Sequence, residues 1–131
     1  MIRLSASVIT MNPLRLSEEL ELLKGSQITH LHLDIMDGWR VPRYGLYSEV
    51  VDSLAVTTDF GLDVHLMVRD PEFALSQIKQ ISRVETISFH VSDDMENALR
   101  TVDLIRSMEC RPLIAVNLST SVNVVERLVR F

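Results

Sequence analysis

The amino-acid sequence predicts an α/β domain built on a parallel sheet. Short apolar runs of strand length alternate with stretches of helical periodicity from one end of the chain to the other. Asn12-Pro13 and Asp70-Pro71 each place a capping side chain directly before a proline, a combination that begins helices. No Gly/Ser-rich linker interrupts the 131 residues, so we expect residues 1–131 to form one domain.

The predicted elements follow the order strand then helix, repeated five times. The predicted strands are short apolar runs: residues 4–9, 29–36, 62–68, 85–90 and 113–118. The predicted helices are the segments between and after them: residues 13–24, 48–54, 71–81, 94–108 and 122–131. Such an order is typical of βα units, in which neighbouring strands run parallel.

Individual side chains justify the helices. Apolar residues at helical spacing predict the first and third helices: Leu16, Leu20 and Leu23 in the first, Phe73, Ile78 and Ile81 in the third. Capping side chains predict where the later helices begin: Asp93 or Asp94 for the fourth, residues 119–121 for the last. Gly25 is expected to end the first helix.

Composition narrows the class of partner. A formal net charge of −5 without a block of basic residues predicts no nucleic-acid partner and no binding to acidic membranes. No apolar run approaches the roughly 18 residues of a membrane span, and the N-terminus does not read as a signal peptide. The single cysteine, Cys110, fits a reducing cytosol and a structural role at a helix end. We therefore expect a cytoplasmic protein that acts on small molecules.

The second predicted strand carries two metal-ligand types at alternating positions. Side chains on a strand alternate faces with a period of two, so His32 and Asp34 point the same way. His65 lies near the end of the third predicted strand, and the carboxyl ends of parallel strands meet at one edge. The three residues could form a metal site. His32 and Asp34 could equally form a hydrogen-bonded pair in which the carboxylate orients the ring.

Other polar residues near this edge have plainer interpretations. His30 shares the face of His32 but lies deeper, where we expect a packed or hydrogen-bonded ring. His90, at the end of the fourth strand, points toward the same rim and could contact substrate or support the metal ligands. Asp37-Gly38 is interpreted as the turn that leads out of the second strand.

Two strings resemble the ribulose-phosphate 3-epimerase family. His32-Leu33-Asp34-Ile35-Met36-Asp37-Gly38, followed by Val41-Pro42, is similar to the family motif on the second strand, and His65-Leu66-Met67-Val68 is similar to the motif on the third. The resemblance extends from Ser5-Ala6-Ser7 to Ala115-Val116-Asn117. It covers both the pentose 5-phosphate enzyme and its relative acting on allulose 6-phosphate, and the motif does not separate them.

The resemblance implies roles for specific residues. Asp34 would be an acid/base and would also bind a divalent metal, zinc, iron(II), manganese or cobalt, together with His32 and His65. The substrate-binding residues implied are Ser7, His65, Met36 and Met67. Taken alone, Ser7 could be a small interior residue and the two methionines could belong to the core.

The resemblance also implies a TIM barrel, and this chain would supply about five of its eight β/α units. A complete barrel takes roughly 200 residues or more. We expect a fragment of a longer enzyme, or a half-barrel that closes by pairing with another chain as a homo-oligomer, because the first and last strands would be open edges. The family's second catalytic aspartate and its phosphate-binding loops have no match here. The family's G-H-F-V-P-N and N-P-x-T strings are altered at residues 38–43 and 117–120, which leaves substrate choice open.

The leading hypothesis is a metal-dependent epimerase that inverts C3 of a ketose phosphate, D-ribulose 5-phosphate to D-xylulose 5-phosphate, with the 131-residue chain inactive by itself. The alternatives are an epimerase of another ketose phosphate, such as D-allulose 6-phosphate, and a non-catalytic half-barrel that binds a metal or a partner chain.

Overall fold

A computed structural model describes residues 2–91, 94–118 and 120–130. Its strands form one parallel five-stranded sheet in sequence order: β1 Leu4–Ser7, β2 Ile28–Met36, β3 Gly61–Met67, β4 Val84–His90 and β5 Arg111–Ala115. The α-helices alternate with the strands: α1 Leu16–Leu23, α2 Ser48–Thr57, α3 Pro71–Gln77, α4 Met95–Ser107 and α5 Val122–Val129. This arrangement confirms the α/β prediction of five consecutive β/α units.

The two faces of the sheet differ in polarity. One face carries the apolar side chains that the helices cover, all of them buried: Leu31, Leu33, Ile35, Leu62, Val64, Leu66, Ile87 and Phe89. The opposite face carries the alternate residues, which include histidine, aspartate, serine and threonine. Burial of the apolar face stabilises the fold and leaves the other face available for polar groups.

Parallel register fixes which polar residues are neighbours. Ser7 pairs with His32 across β1 and β2, and Asp34 pairs with His65 across β2 and β3. Met36 pairs with Met67 one step nearer the carboxyl end. Because paired residues in a parallel sheet project to the same side, the polar residues of three strands lie in adjacent rows.

Capping side chains lie at the start of α3, of α4 and of the short 3-10 helix Pro13–Arg15 that precedes α1. The side chains of Asn12, Asp70 and Asp94 each accept a hydrogen bond from a backbone N–H group in the following turn. The cap of α4 is Asp94, while Asp93 lies outside the described residues. Gly25 follows α1 with a φ of 80°, a conformation that glycine adopts without steric cost.

Several sequence predictions about element ends were wrong. The first strand stops at Ser7 rather than residue 9, because residues 8–10 form a 3-10 turn in which Met11 N–H donates to Val8 C=O. The fifth strand begins at Arg111 and ends at Ala115, where its partner strand β4 also ends. Leu118 is consequently exposed.

The prediction for Phe73 was wrong, whereas one of the predicted cap residues, Ser121, does lie at the start of α5. Phe73 is 64% exposed, because Ala74 and Leu75 provide the buried side of α3. Ser121 occupies the N-cap of α5 without a side-chain capping bond, and Ser119 lies outside the described residues.

Cys110 has the structural role expected of it. Its thiol is buried and lies 3.3 Å from the carbonyl oxygen of Val84, to which it donates a hydrogen bond. Burial, with a smaller contribution from Glu109, raises the pKa of the Cys110 thiol, which disfavours the reactive thiolate. Among the described residues, no helix combines the length and apolar character required to cross a membrane.

The loop after β2 is attached to the strand end by close backbone contacts. Gly45 N–H donates to Met36 C=O at 3.2 Å, and Leu46 N–H donates to Asp34 C=O at 2.9 Å. A Cβ atom on Gly45 would lie 2.6 Å from the Asp34 carbonyl oxygen, which is backbone and cannot move independently of the strand. Glycine is therefore required here for close approach.

We expect Gly45→Ala to destabilise the protein by about 3 kcal/mol, the upper end of the usual cost of overpacking, because the contacted atom is backbone. Urea unfolding measures the change. The matched control is Gly25→Ala, where nothing lies within 4 Å of the added Cβ and only the φ of 80° is strained. That control should cost less, about 1 kcal/mol. An equal or smaller effect at Gly45 would contradict the close-approach argument.

Candidate active site

Three side chains from β2 and β3 converge at the carboxyl end of the sheet. His32 Nε2 lies 3.1 Å from Asp34 Oδ1, and His65 Nδ1 lies 3.1 Å from the same oxygen. One potential ligand atom from each of the three residues lies within 4.8 Å of the others. The structure therefore brings together the three residues that the sequence predicted as metal ligands.

The protons available at this cluster favour a cation. His32 Nδ1 lies 2.8 Å from Asp63 Oδ2. A carboxylate can only accept a hydrogen bond, so the proton of this contact belongs to His32 Nδ1. A neutral His32 then directs the lone pair of Nε2 at Asp34 Oδ1. Two acceptors at 3.1 Å repel each other unless His32 is protonated at both nitrogens or a cation lies between them. The donor chemistry of the site therefore fits a positive ion.

The electrostatics of His32 agree with this arrangement. The hydrogen bond to Asp63 raises the pKa of His32, burial lowers it, and the nearby charge of Asp34 adds to the rise, so the net pKa lies above its usual value. Desolvation raises the pKa of Asp63, but hydrogen bonds from His32 and Thr86 outweigh it and bring the net pKa below its usual value. The charged forms of both groups are thus favoured in the metal-free protein, where His32 Nε2 can donate its proton to Asp34 Oδ1, and a bound cation would take the place of that proton.

His90 lies beside the cluster, as its position at the end of β4 suggested. Its Nε2 is 3.1 Å from His65 Nε2, and the two rings stack with centroids 5.1 Å apart. Burial, the charge of His65 and the charge of Arg40 lower the pKa of His90, against a smaller opposing effect of Asn117. Its buried Nδ1 makes no hydrogen bond of normal geometry within the described part of the chain. A neutral His90 can accept a hydrogen bond from the Nε2–H group of His65, which leaves the lone pair of His65 Nδ1 free to bind a metal ion.

The residues that the resemblance implied for substrate binding lie around the cluster. Ser7 neighbours His32 on β1, and Met36 and Met67 neighbour each other one step beyond Asp34 and His65. The four residues implied for substrate binding, Ser7, Met36, His65 and Met67, are all partly buried. The structure groups these side chains, and their contact with a substrate remains a prediction.

His30 belongs to a different contact network. Its Nδ1 lies 2.7 Å from Thr29 Oγ1, and its Nε2 lies 3.2 Å from Glu85 Oε2 and 3.3 Å from an Arg3 nitrogen. This hydrogen-bonded ring agrees with the interpretation made from the sequence.

Asp37 connects the loop after β2 to the loop after β3 by hydrogen bonds. Asp37 Oδ1 accepts hydrogen bonds from the backbone N–H groups of Trp39 and Arg40, and Oδ2 accepts one from Arg69 N–H at 2.6 Å. Gly38 has a φ of 78°, as a turn after Asp37 requires. The Arg69 guanidinium lies 5.3 Å from the centre of the Trp39 ring. The sequence interpretation of a turn was correct but missed the connection to Arg69.

A cavity of about 600 Å³ lies between these loops and α4. His90, Arg40, Arg69 and Thr101 are among the residues that line it. The cavity therefore adjoins the ligand cluster through His90.

Sequence reasoning also missed Asp63 and Thr86. Asp63 Oδ2 contacts His32, and Asp63 Oδ1 accepts a hydrogen bond from Thr86 Oγ1 at 2.6 Å. A signal for Asp63 was present, since Asp63-x-His65 repeats on the third strand the alternation of His32-x-Asp34 on the second. The role of Thr86 depends on register and could not be read from spacing.

The fold and the polar edge of the sheet define an α/β protein of the parallel βα type with a histidine and aspartate site at its strand ends. A sequence model described as the Ribulose-phosphate 3 epimerase family matches residues 3–130. The chain therefore belongs to the ribulose-phosphate 3-epimerase family, as its motifs indicated.

Individual relatives carry the same description. The chain is 25% identical over 126 residues to a ribulose-phosphate 3-epimerase of Methanocaldococcus jannaschii, covering 96% of this chain and 52% of the relative. It is 30% identical to the chloroplastic enzyme of Arabidopsis thaliana, covering 93% and 43%, and 26% identical to that of Bacillus subtilis, covering 98% and 58%. The chain spans about half the length of the curated relatives it matches.

We expect Asp37→Asn to lower the free energy of unfolding at pH 7 by about 1 kcal/mol, since the amide NH₂ cannot accept the Arg69 N–H. Desolvation raises the pKa of Asp37, but the backbone N–H bonds from Arg69, Arg40 and Trp39 outweigh it, so the folded-state pKa is lowered. A lowered pKa contributes stability above the unfolded value, about 3.9, that is lost as the pH falls through the folded value.

The difference in stability between wild type and Asp37→Asn should therefore be full at pH 6–7 and should shrink below about pH 4. Urea unfolding of both proteins across this range measures it. A difference that stays constant into acid would show that the Asp37 charge does not carry the connection.

Proposed function

We propose that this chain supplies the metal-binding and first acid/base residues of a sugar-phosphate 3-epimerase. The observation that supports the proposal most directly is the convergence of His32, Asp34 and His65, whose potential ligand atoms lie within 4.8 Å of one another. Membership of the ribulose-phosphate 3-epimerase family adds the reaction class. The names of the relatives favour ribulose 5-phosphate as the substrate. Inversion of C3 in D-ribulose 5-phosphate gives D-xylulose 5-phosphate as the product.

The donor set fits one divalent metal ion. Two imidazole nitrogens and a carboxylate oxygen suit zinc, iron(II), manganese or cobalt, and His32, Asp34 and His65 would hold the ion. When bound, it would polarise the substrate carbonyl and stabilise negative charge on that oxygen. We also propose that the protein is located in a reducing compartment such as the cytosol.

Asp34 is suited to move a proton at C3 of the substrate. Within the described residues, both hydrogen-bond contacts of its side chain, to His32 and to His65, involve Oδ1. Oδ2 therefore stays available to take the proton from one face of the substrate. The Asp34 side chain is 14% exposed, which limits competition from water while leaving it reachable.

The neighbouring side chains would shape the rest of this half of the site. Met36 and Met67 lie beside each other beyond Asp34 and His65, where their apolar, polarisable thioethers would exclude water from the reacting carbons. Ser7, next to His32, would offer a hydroxyl to the substrate.

Inversion needs a second acid on the opposite face of the substrate. The polar face of the sheet presents Asp34 and Asp63 near the cluster, and Asp63 is already engaged by His32 and Thr86. We therefore propose that the second acid comes from outside this copy of the 131 residues. The groups that bind the phosphate are proposed to do the same, because the family's phosphate-binding loops have no match here.

The sheet edges support association of copies of this chain. β1 pairs only with β2 and β5 only with β4, so each has one unpaired side in the described structure. Leu4 and Leu113 on these strands are 41% and 39% exposed. Unpaired backbone groups beside apolar side chains promote pairing between chains, which favours a homo-oligomer for this chain in isolation.

The first test is metal binding by the 131-residue chain, measured by calorimetry with zinc and manganese. Asp34→Asn should weaken metal binding by more than about 100-fold, because replacing a metal ligand lowers the affinity more than replacing a residue that only orients a ligand. His30→Gln is the matched control, since His30 lies on the same strand and face but contacts Thr29, Arg3 and Glu85. Equal weakening by both substitutions would contradict the proposed site.

The same Asp34→Asn substitution in a complete epimerase containing this sequence should abolish exchange of the C3 proton with deuterated solvent while leaving the fold intact. Nuclear magnetic resonance of the recovered ketose phosphate measures the exchange, and circular dichroism checks the fold. Wild-type exchange in the variant would remove Asp34 as the base.

The isolated 131-residue chain should bind metal, show no epimerisation of D-ribulose 5-phosphate and self-associate. A single acid/base can remove and return a proton on one face only, and without a phosphate anchor the reacting carbon is not positioned. Light scattering measures the mass, and a coupled assay with added zinc, iron(II) or manganese measures turnover. An active monomer would contradict the proposal, and an active dimer would assign the second acid to the other copy.

A further inference from the structure

We propose that Asp63, held by Thr86, is a positioning residue that fixes the tautomer and ring orientation of His32 for metal binding. The inference rests on the metal site proposed above. It adds two residues behind the ligands, and it gives each of them a role that can be tested apart from turnover.

Three adjacent strands contribute one residue each to this arrangement. His32 on β2 pairs in register with Asp63 on β3, and Asp63 pairs with Thr86 on β4. Thr86 Oγ1 donates to Asp63 Oδ1 at 2.6 Å, and Asp63 Oδ2 lies 2.8 Å from His32 Nδ1. Each carboxylate oxygen therefore has its own partner, and rotation of the carboxylate would break both contacts.

The proton on His32 follows from these contacts. A carboxylate has no proton to donate, so His32 Nδ1 must carry it, and Nε2 is left as the atom that faces Asp34. A neutral histidine free in water prefers the other tautomer, with its proton on Nε2. Asp63 thus selects the form of His32 whose Nε2 can bind a cation, the arrangement found behind most metal-bound histidines.

Thr86 gives the arrangement rigidity. It is 6% exposed and β-branched, so its hydroxyl is held in one direction by the packing of β4. The side chains of Asp63 and His32 are 25% and 29% exposed, so water competes little for their hydrogen bond. A partly buried network of this kind orients its members more strongly than the same contacts on the surface.

The two metal-binding histidines are consequently not equivalent. The Nδ1 atom of His32 contacts an anionic carboxylate, that of Asp63. The corresponding outer nitrogen of His65, Nε2, lies 3.1 Å from a nitrogen of the His90 ring. An anionic partner makes the ring that it contacts a stronger donor to a metal than a neutral partner does. Loss of Asp63 should therefore affect His32 and leave the environment of His65 largely unchanged.

Asp63→Asn is the primary test. Thr86 would still donate to the remaining carbonyl oxygen, so the amide NH₂ would face His32 Nδ1 and make that nitrogen an acceptor. The proton would move to Nε2, as it does when the aspartate behind a catalytic histidine is replaced in the same way. We expect zinc and manganese affinity to fall by about 10–100-fold. The ¹⁵N spectrum of His32 in metal-free protein, recorded above the raised pKa of His32 where the ring is neutral, would report the tautomer change.

Thr86→Val and Thr86→Ser separate the hydroxyl from the shape of the side chain. Valine fills the same space without donating, so metal affinity should fall in the same direction but by less than in Asp63→Asn. Serine restores the donor and should restore the affinity. The charge-matched control is Asp59→Asn, whose side chain is 96% exposed and contacts Arg83, and which should leave affinity and the His32 spectrum unchanged.

The outcomes distinguish this inference from the proposed function. If the wild-type chain binds neither metal, the metal site fails, but the ¹⁵N spectrum still tests whether Asp63 sets the tautomer. Wild-type affinity and an unchanged spectrum in Asp63→Asn would overturn the inference. Equal losses in Asp63→Asn and Asp59→Asn would also overturn it, since net charge alone would explain them. If Asp63→Asn does not fold, the pair Thr86→Val and Thr86→Ser decides.

Discussion

The register between β2 and β3 is the constraint on which the site depends. Pairing of Asp34 with His65 places the third nitrogen ligand beside the carboxylate, and the same register sets Asp63 beside His32. Because side chains alternate with a period of two, a slip of β3 by one residue would turn Asp63 and His65 to the apolar face, away from His32 and Asp34. The fold and the site are therefore determined by one set of backbone hydrogen bonds.

The apolar face enforces that register. Leu31, Leu33, Leu62, Val64 and Leu66 are each fully buried, and a one-residue shift would turn those of the shifted strand away from the helices that cover them. Burying a leucine or valine side chain stabilises a protein by roughly 1.5–3 kcal/mol. The polar face can then hold groups that interact unfavourably on their own, such as two acceptors near Asp34, because the core on the other side holds them in place.

Hydrogen bonds connect the residues on the polar face into one network. Thr86 donates to Asp63, Asp63 fixes the proton of His32, and His90 lies against the outer nitrogen of His65. The inner nitrogens of both histidines are directed at Asp34 Oδ1. When the His32 ring is neutral, its inner nitrogen has no proton for Asp34, which is the condition in which a divalent cation is favoured.

The α/β class, the order of five β/α units and the cluster of His32, Asp34 and His65 could be predicted from the sequence, because alternation within a strand and the common edge of parallel strands are local rules. Tertiary structure decided the ends of β1 and β5, the exposure of Phe73 and the parts played by Asp63, Thr86 and His90. Those features depend on which residues of separate strands become neighbours and on how helices pack. Spacing along one chain carries no information about either until the register is fixed.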